Sequence, residues 1–155
     1  MAVRPIPDGY QAVTPYLIVD GAAQALEFYK QVFGATERMR MAAPNGRIGH
    51  AEMRIGDSAV MLADEVPDMG YRGPKAYGGS ALSLMLYVDD VDATFRRALA
   101  AGAIERRAVQ NQFYGDRSGT LEDPFGHTWT VSTHVEDIAP DEMARRSEEA
   151  MQKPD

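Results

Sequence analysis

The chain repeats itself. Val19-Asp20 recurs as Val88-Asp89, Gly34-Ala35 as Gly102-Ala103, and the turn Ile55-Gly56-Asp57 aligns with Phe125-Gly126-His127, at offsets of 69, 68 and 70 residues. A strand end, a helix stop and a hairpin turn keep register together, which an internal duplication explains far better than chance. The fold must therefore be assembled from two copies of one module within 155 residues.

Each copy can be read in order. Residues 12–19 (AVTPYLIV) predict a strand, with Leu17 and Val19 on one face and Thr14, Tyr16 and Ile18 on the other, both apolar enough to be buried. Asp20 offers an N-cap, and Leu26, Tyr29, Val32 and Phe33 recur at helical spacing over 23–33 until Gly34, a left-handed stop. A further strand fits at 37–42, and 47–55 and 58–63 read as strands joined by the two-residue turn Gly56-Asp57. In the second half, 82–88 predicts a strand, and Asp89 or Asp90 caps a helix carrying Val91, Phe95, Ala98 and Leu99. A polar region follows, then a hairpin of 119–122 and 128–133 around Asp123-Pro124-Phe125-Gly126.

The repeating unit is β-α-β-β-β, giving an α+β fold of two such modules whose curved mixed sheets enclose a cleft, the expected ligand site. The modules span about 10–65 and 81–135 of a single domain, 1–135, with the Gly- and Pro-rich loop 64–80 between them. Residues 136–155 form a peripheral tail whose helix starts at Pro140, with Asp141 and Glu142 early and Arg145, Arg146 and Lys153 later, as a helix dipole favours.

Composition narrows the chemistry. A net charge of -7 argues against nucleic acid and anionic membranes as partners. No apolar run approaches the roughly 18 residues of a membrane span, and residues 1–10 lack the order of a secretory leader, so a cytoplasmic location is expected. With no cysteine, thiolate metal sites and cysteine nucleophiles are excluded, and reactivity rests on His, Asp, Glu, Arg, Tyr and backbone.

The segments TPYLIVDGAAQALEFYKQVFGATE, HAEMRIGDSAVMLADE, YVDDVDATFRRALAAGA, FYGDRSGTLEDPFGHTWTVSTHVEDI and PDEMARR resemble the vicinal oxygen chelate (glyoxalase/bleomycin-resistance/dioxygenase) superfamily, and within it the PhnB-like branch, over nearly the entire chain. The resemblance implies the duplicated fold, a homodimer, and in the superfamily's enzymes a divalent metal held by His, Gln and Glu from four inward strand positions. Those positions fall here at Thr14, Ser83, Thr130 and the stretch Val60, Met61, Leu62, none a good ligand. The expectation is therefore a small-molecule-binding protein with neither metal nor other cofactor, suited to ligand sequestration or resistance. The alternative is a glyoxalase-like lyase or isomerase, or a dioxygenase-type enzyme, with a displaced site at His50 and Glu52.

On the strand 47–55, His50, Glu52 and Arg54 alternate with Ala51, Met53 and Ile55, placing three ionisable groups on one face. They can serve as a ligand-binding row or an acid/base pair, or as a solvated cluster in which Arg54 neutralises Glu52. Tyr16 and Tyr87 supply inward walls, and Asp64 ends a strand as a solvated charge at the cleft mouth. Phe113, Tyr114, Gly115, Asp116 and Arg117 make a loop able to clamp a planar or anionic ligand, or a turn pinned by an Asp116–Arg117 pair. Ligand-binding candidates are thus Tyr16, His50, Glu52, Arg54, Asp64, Tyr87, Tyr114 and Arg117. Trp129 is expected in the core, His127 bonded to backbone near its own hairpin, and His134 exposed or capping a strand end.

Overall fold

The computed structural model describes residues 2–153. They form two units, one comprising the chain up to Ala81 together with Pro124–His127, the other Leu82–Asp123 together with the chain from Thr128 onward.

The first unit runs β1 (Tyr16–Val19), α1 (Ala22–Phe33), β2 (Thr36–Ala42), β3 (Ile48–Ile55) and β4 (Ser58–Asp64). Its sheet has the order β1-β4-β3-β2, with β1 parallel to β4 and the other pairs antiparallel. Helix α1 lays Leu26, Tyr29 and Val32 over Leu17, Val19, Ala51, Met53 and Leu62, all fully or almost fully buried. Each such aliphatic side chain contributes about 1.5–3 kcal/mol on burial. Strand β1 is shorter than the 12–19 expected, because Pro15 has no N–H to give to the ladder. Its second face is not buried either: α1 covers only one side of the sheet, leaving Tyr16 48% exposed on the other.

Asp20 does not cap α1. The N-cap is Gly21 in the left-handed region (φ 102°), without a side-chain bond. Asp64 reaches from β4 instead: its Oδ1 accepts from Gly21 N at 2.8 Å and Ala22 N at 2.9 Å, and its Oδ2 from Ile48 N at 2.7 Å. Asp20 pairs with Arg47 at 2.9 Å. A buried carboxylate from the last strand does the capping because it can also hold the start of β3, which a residue local to the helix cannot reach.

Residues 64–80 contain two short 3-10 turns, Pro67–Met69 and Pro74–Tyr77, and an antiparallel bridge between Val66 and Tyr71. Gly73 donates to Glu65 Oε1 at 2.7 Å, and a Cβ there would stand 3.1 Å from Ile18 O. Pro124–His127 packs into this unit, with Phe125 against the rings of Phe28 and Tyr29. His127 Nε2 donates to Ile18 O at 3.0 Å, a partner on β1 rather than the local backbone expected from the sequence.

The second unit runs β5 (Ser83–Tyr87), α2 (Val91–Ala100), β6 (Ile104–Asn111), β7 (Asp116–Glu122) and β8 (Thr128–His134), with the order β5-β8-β7-β6 and β5 parallel to β8. Asp90 caps α2, accepting from Ala93 N. Trp129 is 3% exposed and donates Nε1–H to Asp123, as a core indole requires. At Gly119 a Cβ would lie 2.9 Å from the Phe95 ring, so glycine lets α2 settle on the sheet. Strand β6 occupies what reads as a polar region in the sequence: it is an edge strand with two register shifts, exposed except at Val109, so no alternation survives to mark it. The helix α3 (Pro140–Gln152) begins at its proline and buries none of its residues. No helix among the described residues is long and apolar enough to cross a membrane.

Candidate functional site

The face of the first sheet away from α1 is built by register. Tyr16 on β1 pairs with Met61 on β4, Met61 with Glu52 on β3, and Glu52 with Met39 on β2, so these four side chains form one row across the sheet. His50 pairs with Met41 in the next row. Period-two alternation thus sends Ala51, Met53 and Ile55 under the helix and His50 and Glu52 to the other side, as the sequence predicts.

There the polar groups form a chain. The Tyr16 hydroxyl and His50 Nδ1 are hydrogen-bonded at 2.7 Å, His50 Nε2–H donates to Glu52 Oε1 at 3.0 Å, and Tyr10 O–H donates to Glu52 Oε2. Glu52 is 8% exposed. Its carboxyl is held below the usual range by the hydrogen bond from His50 and then by that from Tyr10, so it is an ionised acceptor. Burial raises the Tyr16 phenol, which keeps its proton at neutral pH. Tyr10, with Arg38 5.9 Å over its ring, has no counterpart in the sequence reading: it lies outside any periodic segment, and only the fold brings it to Glu52. Arg54 does not neutralise Glu52. Its guanidinium donates to Asp57 O and Gly9 O, tying the N-terminal segment to the β3–β4 hairpin.

Beside this chain lies a cavity of about 620 Å³ lined by Tyr16, Ile18, Ala63, Val66, Met69 and Tyr71, with Gly49 and Asp64 completing it. Its walls are apolar and aromatic. Asp64 is 4% exposed and is no solvated charge, since three backbone amides occupy its oxygens.

In the second unit, Tyr87 O–H donates to Asp116 Oδ2 at 3.0 Å, and the two nitrogens of His134 face Asp116 Oδ1 and Asp137 Oδ1, each at 2.8 Å. Two carboxylates across one ring call for a proton on both nitrogens. The His134 pKa is accordingly raised, first by the bond to Asp116 and then by that to Asp137. Arg117 belongs to β7 and forks onto Asp92 of α2 at 2.8 and 2.9 Å, so neither the Asp116–Arg117 pair nor an anion clamp forms. Alternation explains this, because neighbours on a strand point to opposite faces. Tyr114 packs edge-on against Phe113.

Residues 11–131 match the family model of the Glyoxalase/Bleomycin resistance protein/Dioxygenase superfamily. The chain belongs to this superfamily. An uncharacterized protein of Mycobacterium bovis, Mb0911c, is 44% identical over 135 residues, 85% of this chain and 89% of that protein. Among solved structures, PA1353 from Pseudomonas aeruginosa superposes with a TM-score of 0.65 at 26% identity, covering 81% of this chain and 99% of that one. A PhnB protein from Bacillus cereus shares the fold, with a TM-score of 0.64 at 19% identity over 79% of this chain and 99% of that one. The metal that the superfamily's enzymes use does not fit the residues here. Thr14 donates to Gln11 O, Thr130 bonds Thr120, Met61 brings a thioether between Tyr16 and Glu52, and Ser83 offers only a hydroxyl. His50 and Glu52 have both nitrogens and both oxygens engaged, and the described residues hold no group of three His, Asp or Glu arranged for a metal ion.

Proposed function

We propose that the first unit binds a small organic molecule on its open sheet face, without a metal ion. The observation that carries this reading is the cavity of about 620 Å³, apolar on most of its wall and edged by a chain of oriented polar groups. Cavities of roughly 300–1,000 Å³ with that division of labour are what ligand sites of drug-sized molecules use. Sequestration of such a molecule needs shape and a few polar contacts, all of which this face supplies. Tyr16 is the polar side chain that meets the ligand in this proposal, and His50 and Glu52 orient its hydroxyl. Tyr87 lines a smaller recess of about 430 Å³ in the second unit and, like Tyr114 and Arg117, is not part of the proposed site.

The test is a thermal-shift screen of neutral aromatic fragments against the wild type and Ala63→Phe, which fills the cavity from β4. Fragments that stabilise the wild type and leave the variant unmoved support the reading; equal shifts in both refute it. Elemental analysis of untagged protein checks metal independence, and one tightly held divalent ion per chain, lost in Glu52→Gln, would overturn it. A homodimer is part of the proposal, as exposed edge strands such as β6 favour association. Light scattering should give twice 17.0 kDa.

The hydrogen-bonded run Tyr16–His50–Glu52 favours a second reading, a lyase or isomerase on an oxygenated small molecule with His50 as its base. Loss of turnover in His50→Gln with ligand binding retained would distinguish it from pure binding.

A further inference from the structure

The direction of the hydrogen bonds in the first unit specifies what a ligand must bring. Glu52, taking bonds from both Tyr10 and His50, is an acceptor and nothing else. His50 must therefore carry a proton on Nε2, and as a neutral imidazole it has a bare Nδ1. The single proton of the Tyr16 hydroxyl is then spent on Nδ1 at 2.7 Å. What Tyr16 can offer the cavity it lines is only the lone pairs of its oxygen.

We infer that this cavity selects neutral, planar, apolar molecules bearing an N–H or O–H donor, and that protonation of His50 inverts the preference towards acceptors. The inference rests on the ligand-binding reading above and adds the chemical class. When Nδ1 gains a proton it becomes a donor to Tyr16, whose own O–H is released to turn into the cavity. One protonation, a single hydrogen bond behind the Tyr16 oxygen, thus changes the wall of the cavity from acceptor to donor. The groups facing His50 are Tyr16 from β1 and Glu52 from β3; Tyr10 and Arg38 act on Glu52, Tyr71 acts on Tyr16, and Arg54 is held by backbone carbonyls. The Tyr71 hydroxyl, on the half-exposed rim, can rotate to serve donors or acceptors and so does not discriminate.

Two neutral bicyclic probes that do not titrate in the working range separate the cases: indole, which has a donor and no acceptor lone pair, and 1-indanone, which has an acceptor and no donor. Affinities are read by titration at about pH 8 and about pH 5, either side of the usual imidazole range. Indole should bind about three- to tenfold more tightly at the higher pH, the scale of one net hydrogen bond, and the ratio should fall or reverse at the lower. Tyr16→Phe should bind both probes without preference at either pH. His50→Phe, which leaves the Tyr16 hydroxyl without its Nδ1 acceptor, should lose the preference too, and circular dichroism confirms that each variant is folded. Equal binding of the two probes by the wild type at pH 8, or a preference that survives Tyr16→Phe, overturns the inference while leaving the ligand site standing. Failure of both probes to bind folded wild-type protein overturns the ligand-binding reading itself, and this inference with it.

Discussion

Asp64 and Thr133 stand 69 residues apart and perform the same act. Each sits near the C-terminal end of its module's last strand, and each accepts a hydrogen bond from the first amide of its module's helix, Ala22 N at 2.9 Å and Val91 N at 2.9 Å. Thr133 also returns a bond to Val88 O, at 2.9 Å. The repeat that the sequence shows at its strand ends and turns therefore extends to the device that docks each helix onto its sheet.

Replacing Asp64 with Ala should be among the most damaging single changes in the first unit. Three amides lose their acceptor at once, and each buried unsatisfied donor costs about 1–3 kcal/mol, partly recovered by water reaching the site. A loss of roughly 2–4 kcal/mol is expected in urea unfolding, with Asp64→Asn intermediate because one oxygen remains.

In the second unit the corresponding test is Trp129→Ala. Removing a 3%-exposed indole together with its hydrogen bond to Asp123 Oδ2 should cost about 3–5 kcal/mol. Tyr114→Ala, on a ring that only partly leaves solvent, should cost well under half as much in the same chemical-denaturation assay.

Stability should also depend on pH through His134. Its folded-state pKa lies above the ordinary 6.5, so its contribution is complete below about 6.5 and is lost as pH rises through the folded value. Melting temperature measured from pH 5 to 9 should decline on the alkaline side, and His134→Gln should flatten that part of the curve by lowering the acid side, where the contribution is complete. Because the imidazole is exposed, the effect should shrink in high salt.

Gly115 fixes where the tail leaves the sheet. Its φ is 93°, its carbonyl accepts from Val135 N and Glu136 N, and a Cβ would lie 2.2 Å from Glu136 O. Gly115→Ala should therefore free residues 135–139, seen as faster amide exchange at Val135 and Glu136 while β7 and β8 stay protected.

Much of this protein is local information. Helix α1 and the β3–β4 hairpin are legible because apolar spacing of 3.6 and 2 and the residues Gly34 and Gly56 encode them within a dozen positions, and the split of His50 and Glu52 from Ala51 and Met53 follows from alternation alone. The repeat then fixes the β-α-β-β-β plan, while the superfamily is carried by the resemblance of whole segments and the family match over residues 11–131. What the tertiary structure decides is every relationship made across the sheet. Strand β6 exists because β7 offers it an edge, not because its polar residues ask for one. Asp64 becomes a cap, Arg54 a tie to Gly9, and Tyr10 a partner of Glu52 only when segments 16 to 45 residues distant in sequence are brought within hydrogen-bonding range. Sequence period sets the face on which a side chain points; the partner it finds there depends on register and loop path, and the hydrogen bonds that define the candidate site are of that second kind.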